Sequence, residues 1–84
     1  MRAIINEIID REARLHIPAA DLTPNADLFA LGLTPYSAVR LMLALEREFR
    51  VEFAREALKR ETVRSLAAIE CALRLAKPAA SAAA

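Results

Sequence analysis

The chain has 84 residues, enough for one domain with a thin core, and its 56% hydrophobic and 27% charged residues exclude intrinsic disorder. A single glycine, Gly32, and few aromatics exclude a turn-rich barrel or sandwich, because hairpins need residues at positive φ. Twelve Lys+Arg against eleven Asp+Glu leave a net charge of +1, which argues against a histone-like nucleic-acid binder, and the lone Cys71 permits neither an internal disulfide nor a thiolate zinc cluster.

Residues 2–15 read as a first helix, with Ile4, Ile5, Ile8 and Ile9 on one stripe and Asn6, Glu7, Asp10, Arg11 and Arg14 on the other side. This segment is charged every few residues, so it reads neither as a signal peptide nor as a membrane span, and the cytoplasm is the expected compartment. Residues 16–33 change character: Pro18, Asp21, Thr23, Pro24, Asn25 and Asp27 are turn formers and helix stoppers. Leu22, Leu28, Phe29, Leu31 and Leu33 are expected to pin this long loop to the core, with Gly32 at positive φ.

Thr34-Pro35 reads as the start of a second helix over 35–49, threonine as the N-cap and proline at the first helical position. Its spacing puts Ala38, Val39, Leu41, Met42, Leu45 and Phe49 on an apolar arc and Tyr36, Ser37, Arg40, Ala44, Arg47, Glu48 and Arg50 opposite, with Leu43 at the edge. Residues 50–53 read as an extended connection and 54–60 as one or two helical turns anchored by Leu58. Thr62 is the expected N-cap of a last helix over 63–76, striped by Val63, Leu66, Ala67, Ile69, Ala72 and Leu73 and stopped by Pro78. The pattern predicts an all-α domain over 1–77 with no sheet, and a disordered Ala-rich tail over 78–84.

Little in this chain supports catalysis. His16 is a lone loop histidine, Cys71 reads as a small buried hydrophobe with no second histidine to activate it, and Glu46/Glu48 and Asp21/Asp27 read as ordinary surface or loop carboxylates. Neither a Gly-rich phosphate loop nor metal-ligand spacing is present. Arg40, Arg47 and Arg50 share one face of the central helix, but Glu46 and Glu48 dilute their field, which leaves a small DNA-binding domain as a distant reading.

The run Asp27-Leu28-Phe29-Ala30-Leu31-Gly32-Leu33, followed by Ala38-Val39-Arg40-Leu41-Met42-Leu43-Ala44-Leu45-Glu46-Arg47-Glu48-Phe49, resembles the acyl/peptidyl carrier protein family. The resemblance continues through Val51-Glu52-Phe53 and through Thr62, Val63, Leu66 and Ile69, and covers about residues 3–76. It implies a four-helix bundle with a long first loop and a short third helix. It also implies a non-enzymatic function: presenting an acyl or aminoacyl thioester on a 4′-phosphopantetheine arm, in fatty acid or specialised lipid biosynthesis. The implied partners are activating and transferring enzymes and a phosphopantetheinyl transferase, with the carrier itself a monomer.

Two departures bear on that implication. The family's Asp-Ser attachment pair falls on Thr34 and Pro35, and proline has no hydroxyl to take the arm. Ser37 is the nearest serine, aligned with a position where the family often has a serine that is not modified, and it becomes the candidate attachment residue. The alternative is a carrier-like adaptor that docks onto a partner enzyme without cargo. The second departure is charge: the family usually presents an acidic second helix, whereas this one carries Arg40, Arg47 and Arg50. With Tyr36 and Leu43 as the apolar part, these arginines form the candidate partner surface.

Overall fold

The computed structural model describes residues 1–79. Helix α1 spans Arg2–Glu12, α2 Pro35–Phe49 and α3 Leu66–Leu75. Short 3₁₀ turns at Ala19–Asp21, Arg55–Ala57 and Arg60–Val63 occupy the connections. The carrier-type helical architecture is present, with two 3₁₀ turns standing where a short third helix is expected. No helix among the described residues is long and apolar enough to cross a membrane.

The core forms where the three helices meet. Ile5, Ile8 and Ile9 of α1, Leu41 and Leu45 of α2, and Leu66 and Ile69 of α3 are buried together with Leu28 and Val63 from the connections. The loop between α1 and α2 is pinned by leucines, as its composition predicts: Leu22, Leu28 and Leu33 are buried, and Phe29 and Leu31 pack partly against them. Backbone bonds complete the attachment. The Leu28 N–H donates to the Arg64 carbonyl at 2.8 Å, the Ala67 N–H to that of Pro24 at 3.0 Å, and the His16 N–H to that of Leu31 at 2.8 Å. Buried loop polar groups are thereby satisfied, which lets an irregular segment lie against the core.

Helix α1 stops three residues before the predicted end because Arg14 turns left-handed, at φ 49. Ile4, expected in its apolar stripe, is exposed. Helix α2 has the predicted bounds, but its buried arc is Ala38, Leu41, Ala44 and Leu45. Val39 is exposed and Ala44 buried, a rotation of the arc toward the flank on which α1 packs. The chain leaves α2 through Arg50, left-handed at φ 54.

Four further expectations are corrected. A small antiparallel ladder exists, β1 (Val51–Glu52) with β2 (Lys77–Pro78), in the register Val51 to Pro78 and Glu52 to Lys77. The predicted tail thus begins ordered: Pro78 lies in β2, and the Ala79 N–H donates to the Arg50 carbonyl at 3.0 Å, while residues 80–84 lie outside the described residues. Leu58 anchors nothing and is exposed. Thr62 is not a cap: it is buried and its hydroxyl donates to the Ala57 carbonyl at 2.6 Å, while Ser65 caps α3 by accepting from the Ala68 N–H at 3.1 Å.

Gly32 has φ +117, and a Cβ placed there would lie 2.9 Å from His16 Nε2. Backbone conformation and space therefore both call for glycine at this point, where the loop turns into α2. Gly32→Ala is expected to destabilise the domain by about 1–2 kcal/mol or more in urea unfolding. Adding His16→Ala should recover only the steric part, and complete recovery would show that the φ contributes nothing.

Candidate functional site at the start of α2

Thr34 takes an extended conformation and its Oγ1 accepts the Ser37 N–H at 3.1 Å. Ser37 Oγ in turn accepts the Thr34 N–H at 2.9 Å, closing a reciprocal capping box. The two hydroxyls lie 2.9 Å apart, and Ser37 Oγ is also 3.2 Å from the Thr34 carbonyl. Pro35, exposed between them, fills the first helical position, where a missing N–H costs no helical bond. Ser37 is partly exposed, so its hydroxyl is reachable but already engaged.

The end of α1 lies beside this turn. Glu12 Oε1 accepts from Arg40 Nε at 3.1 Å and pairs with Arg40 Nη2 at 3.0 Å, while its Oε2 pairs with Arg11 Nε at 3.0 Å. Its side chain is 8% exposed, so both guanidiniums meet a carboxylate largely withdrawn from water. Arg40 also donates from Nη1 to the Tyr36 hydroxyl at 3.4 Å, with its guanidinium 5.8 Å from the ring centre. The hydrogen bond from Arg11, then that from Arg40, hold the Glu12 carboxyl below its ordinary range. The bond to Tyr36, then that to Glu12, raise the Arg40 guanidinium. Arg11, Arg14, Arg40, Gly32, Thr34 and Ser37 line a hollow of about 490 Å³ between the end of α1 and the start of α2.

The predicted partner residues divide into two groups. Tyr36, 72% exposed, and Leu43, 56% exposed, lie on the outward side of α2 with Arg40 and Arg47. Arg50 sits past the helix end as its left-handed C-cap, and with Arg47 and Leu43 it lines a second hollow of about 470 Å³, bounded by Val51, Glu52 and Ala79. Glu12, Arg11 and Arg14 join the site with no signal in the sequence, because nothing in their local pattern shows that the loop returns α2 alongside them. Glu46 is more than a surface carboxylate, since it accepts the Phe53 N–H at 2.9 Å and fastens the chain after β1. Cys71 is exposed rather than buried.

Residues 3–69 match the family model described as a phosphopantetheine attachment site. The chain is 37% identical over 75 residues to the aminoacyl carrier protein of Agrobacterium fabrum, covering 89% of this chain and 90% of that protein. Among solved structures, a chain 36% identical superposes with a TM-score of 0.84 and comes from an engineered Bradyrhizobium japonicum glycine:[carrier protein] ligase complexed with carrier protein from Agrobacterium tumefaciens and AMP. That match covers 88% of this chain and 99% of that one. Another, 31% identical with a TM-score of 0.68, comes from the Bradyrhizobium japonicum ligase complexed with glycylated carrier protein, and covers 83% and 93% of the two chains. The chain belongs to the carrier proteins of the phosphopantetheine-attachment family, whose members are generally non-catalytic.

The prosthetic group of this family is 4′-phosphopantetheine, joined through a phosphate to a hydroxyl. Position 35 does not fit it. The nearest fit is Ser37, a partly exposed hydroxyl bordering a hollow whose arginines suit a phosphate.

The depressed Glu12 carboxyl has a consequence for acid stability. A lowered folded-state pKa gives stability that is present above the unfolded carboxylate value, about 4.3, and lost as pH falls through the folded value. Glu12→Gln is therefore expected to unfold at a lower temperature than wild type near neutral pH, with the gap closing below about pH 4. A gap constant across that range in thermal unfolding would show that the charge on Glu12 contributes nothing.

Proposed function

We propose that this protein is a cytoplasmic carrier that presents an aminoacyl group, as the thioester of a phosphopantetheine arm, to an amino-acid-activating enzyme. The observation that carries this reading is the 37% identity, over nearly the whole chain, to an aminoacyl carrier protein. The similar chains found with a glycine:[carrier protein] ligase support the partner class. An aminoacyl cargo then replaces the fatty acid or lipid cargo that the general resemblance allows. The arm supplies the thiol that bears the cargo, and the protein performs no chemistry of its own. Ser37 is the residue that would hold the arm. Thr34 and Pro35 fix the first turn of α2 beneath it.

Docking falls to the outward face of α2. Tyr36 and Leu43 supply apolar contact, and Arg40, Arg47 and Arg50 supply a basic rim that selects an acidic partner surface. Leu43→Ala is expected to weaken binding to a glycine:[carrier protein] ligase by about 1–2 kcal/mol. Arg47→Glu should slow association, an effect that added salt reproduces in the wild type. Affinity indifferent to both substitutions and to salt would remove α2 from the interface.

Pro35 favours a second reading, an adaptor that docks through the same face without an arm. Intact mass after incubation with coenzyme A and a phosphopantetheinyl transferase separates the two. A carrier gains the arm, and the gain disappears in Ser37→Ala, a variant expected to cost about 1 kcal/mol through the lost hydrogen bond from the Thr34 N–H. An adaptor stays unmodified yet still binds the ligase. In either case Pro35→Ser should gain modification, and Thr34→Asp with Pro35→Ser should gain more. Modification that persists in Ser37→Ala would place the arm elsewhere.

A further inference from the structure

We propose that the hollow between the end of α1 and the start of α2 is a phosphate-binding site, fitted to the phosphate ester of a coenzyme A-type ligand. Three arginines, Arg11, Arg14 and Arg40, line it together with Thr34 and Ser37. The carboxylate that also lines it, Glu12, is already shared between Arg11 and Arg40 at 3.0 Å each. It therefore steadies two of the cations while leaving the set with an excess of positive charge. Glu48 reaches Arg11 only at 3.9 Å and does not line the hollow.

Arg14 is the telling member. Among the described residues it has no carboxylate partner, and its backbone is left-handed at φ 49, where glycine would be at ease. Helix termination alone does not need the charge that Arg14 brings to the wall of this hollow. Forked guanidiniums match the several acceptor oxygens of a phosphate better than one carboxylate. The N-terminus of α2 adds positive potential and the C-terminus of α1, which borders the same hollow, opposes it, so the binding rests on the arginines.

The inference deepens the carrier reading, since a phosphate held here lies beside Ser37, but the hollow itself does not depend on where, or whether, the arm is attached. The phosphate can belong to an arm on Ser37 or to free coenzyme A.

The test uses the full chain, labelled with ¹⁵N and titrated with pyrophosphate, coenzyme A and phosphate-free pantetheine. Pyrophosphate and coenzyme A should shift the Gly32, Thr34 and Ser37 amides saturably, and pantetheine should not. Arg14→Gly removes the guanidinium and relaxes the backbone, so the fold is retained, and it should weaken pyrophosphate binding by about tenfold, roughly 1.4 kcal/mol. Arg74→Gln, on α3, should change nothing. If the transferase loads Ser37, the loaded chain should no longer respond to pyrophosphate, which assigns the phosphate to the arm. A reversible response to coenzyme A in an unloaded chain assigns it to the free ligand. No saturable shift with pyrophosphate, or a response in Arg14→Gly equal to wild type, overturns the proposal. Failure to load the arm or to bind the ligase would instead count against the carrier reading and leave the pyrophosphate result standing.

Discussion

Two hydroxyls set the geometry from which the surface of this protein is laid out. Thr34 and Ser37 satisfy each other's backbone N–H groups, and between them Pro35 presets the first helical turn. Once the start of α2 is fixed, its phase is fixed for four turns. Leu41 and Leu45 must face the core, and Tyr36, Leu43 and Arg47 must face away. Gly32 makes the same point from the other side. Its positive φ and the His16 ring packed over it determine the direction in which the loop delivers the chain to Thr34.

That arrangement gives Ser37 two demands that conflict only in part. An ester on its oxygen would remove the O–H that can donate to Thr34, but the oxygen could still accept the Thr34 N–H. The Thr34 Oγ1 would go on capping the Ser37 N–H. Both N–H bonds of the capping box would therefore survive an arm on Ser37, and the cost of modification would be set by the single O–H donation lost to the Thr34 hydroxyl or carbonyl. A serine at position 35, the family's choice, would carry no such duty, because the first helical position needs no side-chain bond.

Local signals were legible in the sequence and long-range ones were not. The start of α2 was readable because caps and prolines act on their immediate neighbours, and its end because residues 50–53 switch to alternating apolar and charged residues. The leucines of the long loop were readable because large apolar residues among turn formers have to be buried somewhere. The exchange of Val39 for Ala44 in the buried arc was not, since it depends on which flank α1 covers. Thr62 looks like a cap by residue type, yet the 3₁₀ turn beneath it diverts its hydroxyl to Ala57 and moves the start of α3 to Ser65. The two-residue ladder was hidden because Lys77 and Pro78 are poor strand formers, held there by where α3 ends and not by propensity.

The charge on α2 shows why the site was only partly readable. In sequence, Arg40, Arg47 and Arg50 look like one basic face. In the folded chain they act differently: Arg40 is tied to a shielded carboxylate and an aromatic hydroxyl, Arg47 stands on the helix surface, and Arg50 is held by the chain reversal after α2. A cation fixed by two partners loses little freedom on meeting an anion, whereas a free surface arginine must first be ordered. The tethered arginine therefore suits a site with fixed geometry, next to Ser37. The freer Arg47 suits the encounter with a partner, where long-range charge matters more than position. A chain with a net charge of +1 can thus carry two basic functions a few residues apart, because burial and pairing, not the count of charges, decide what each arginine is free to do.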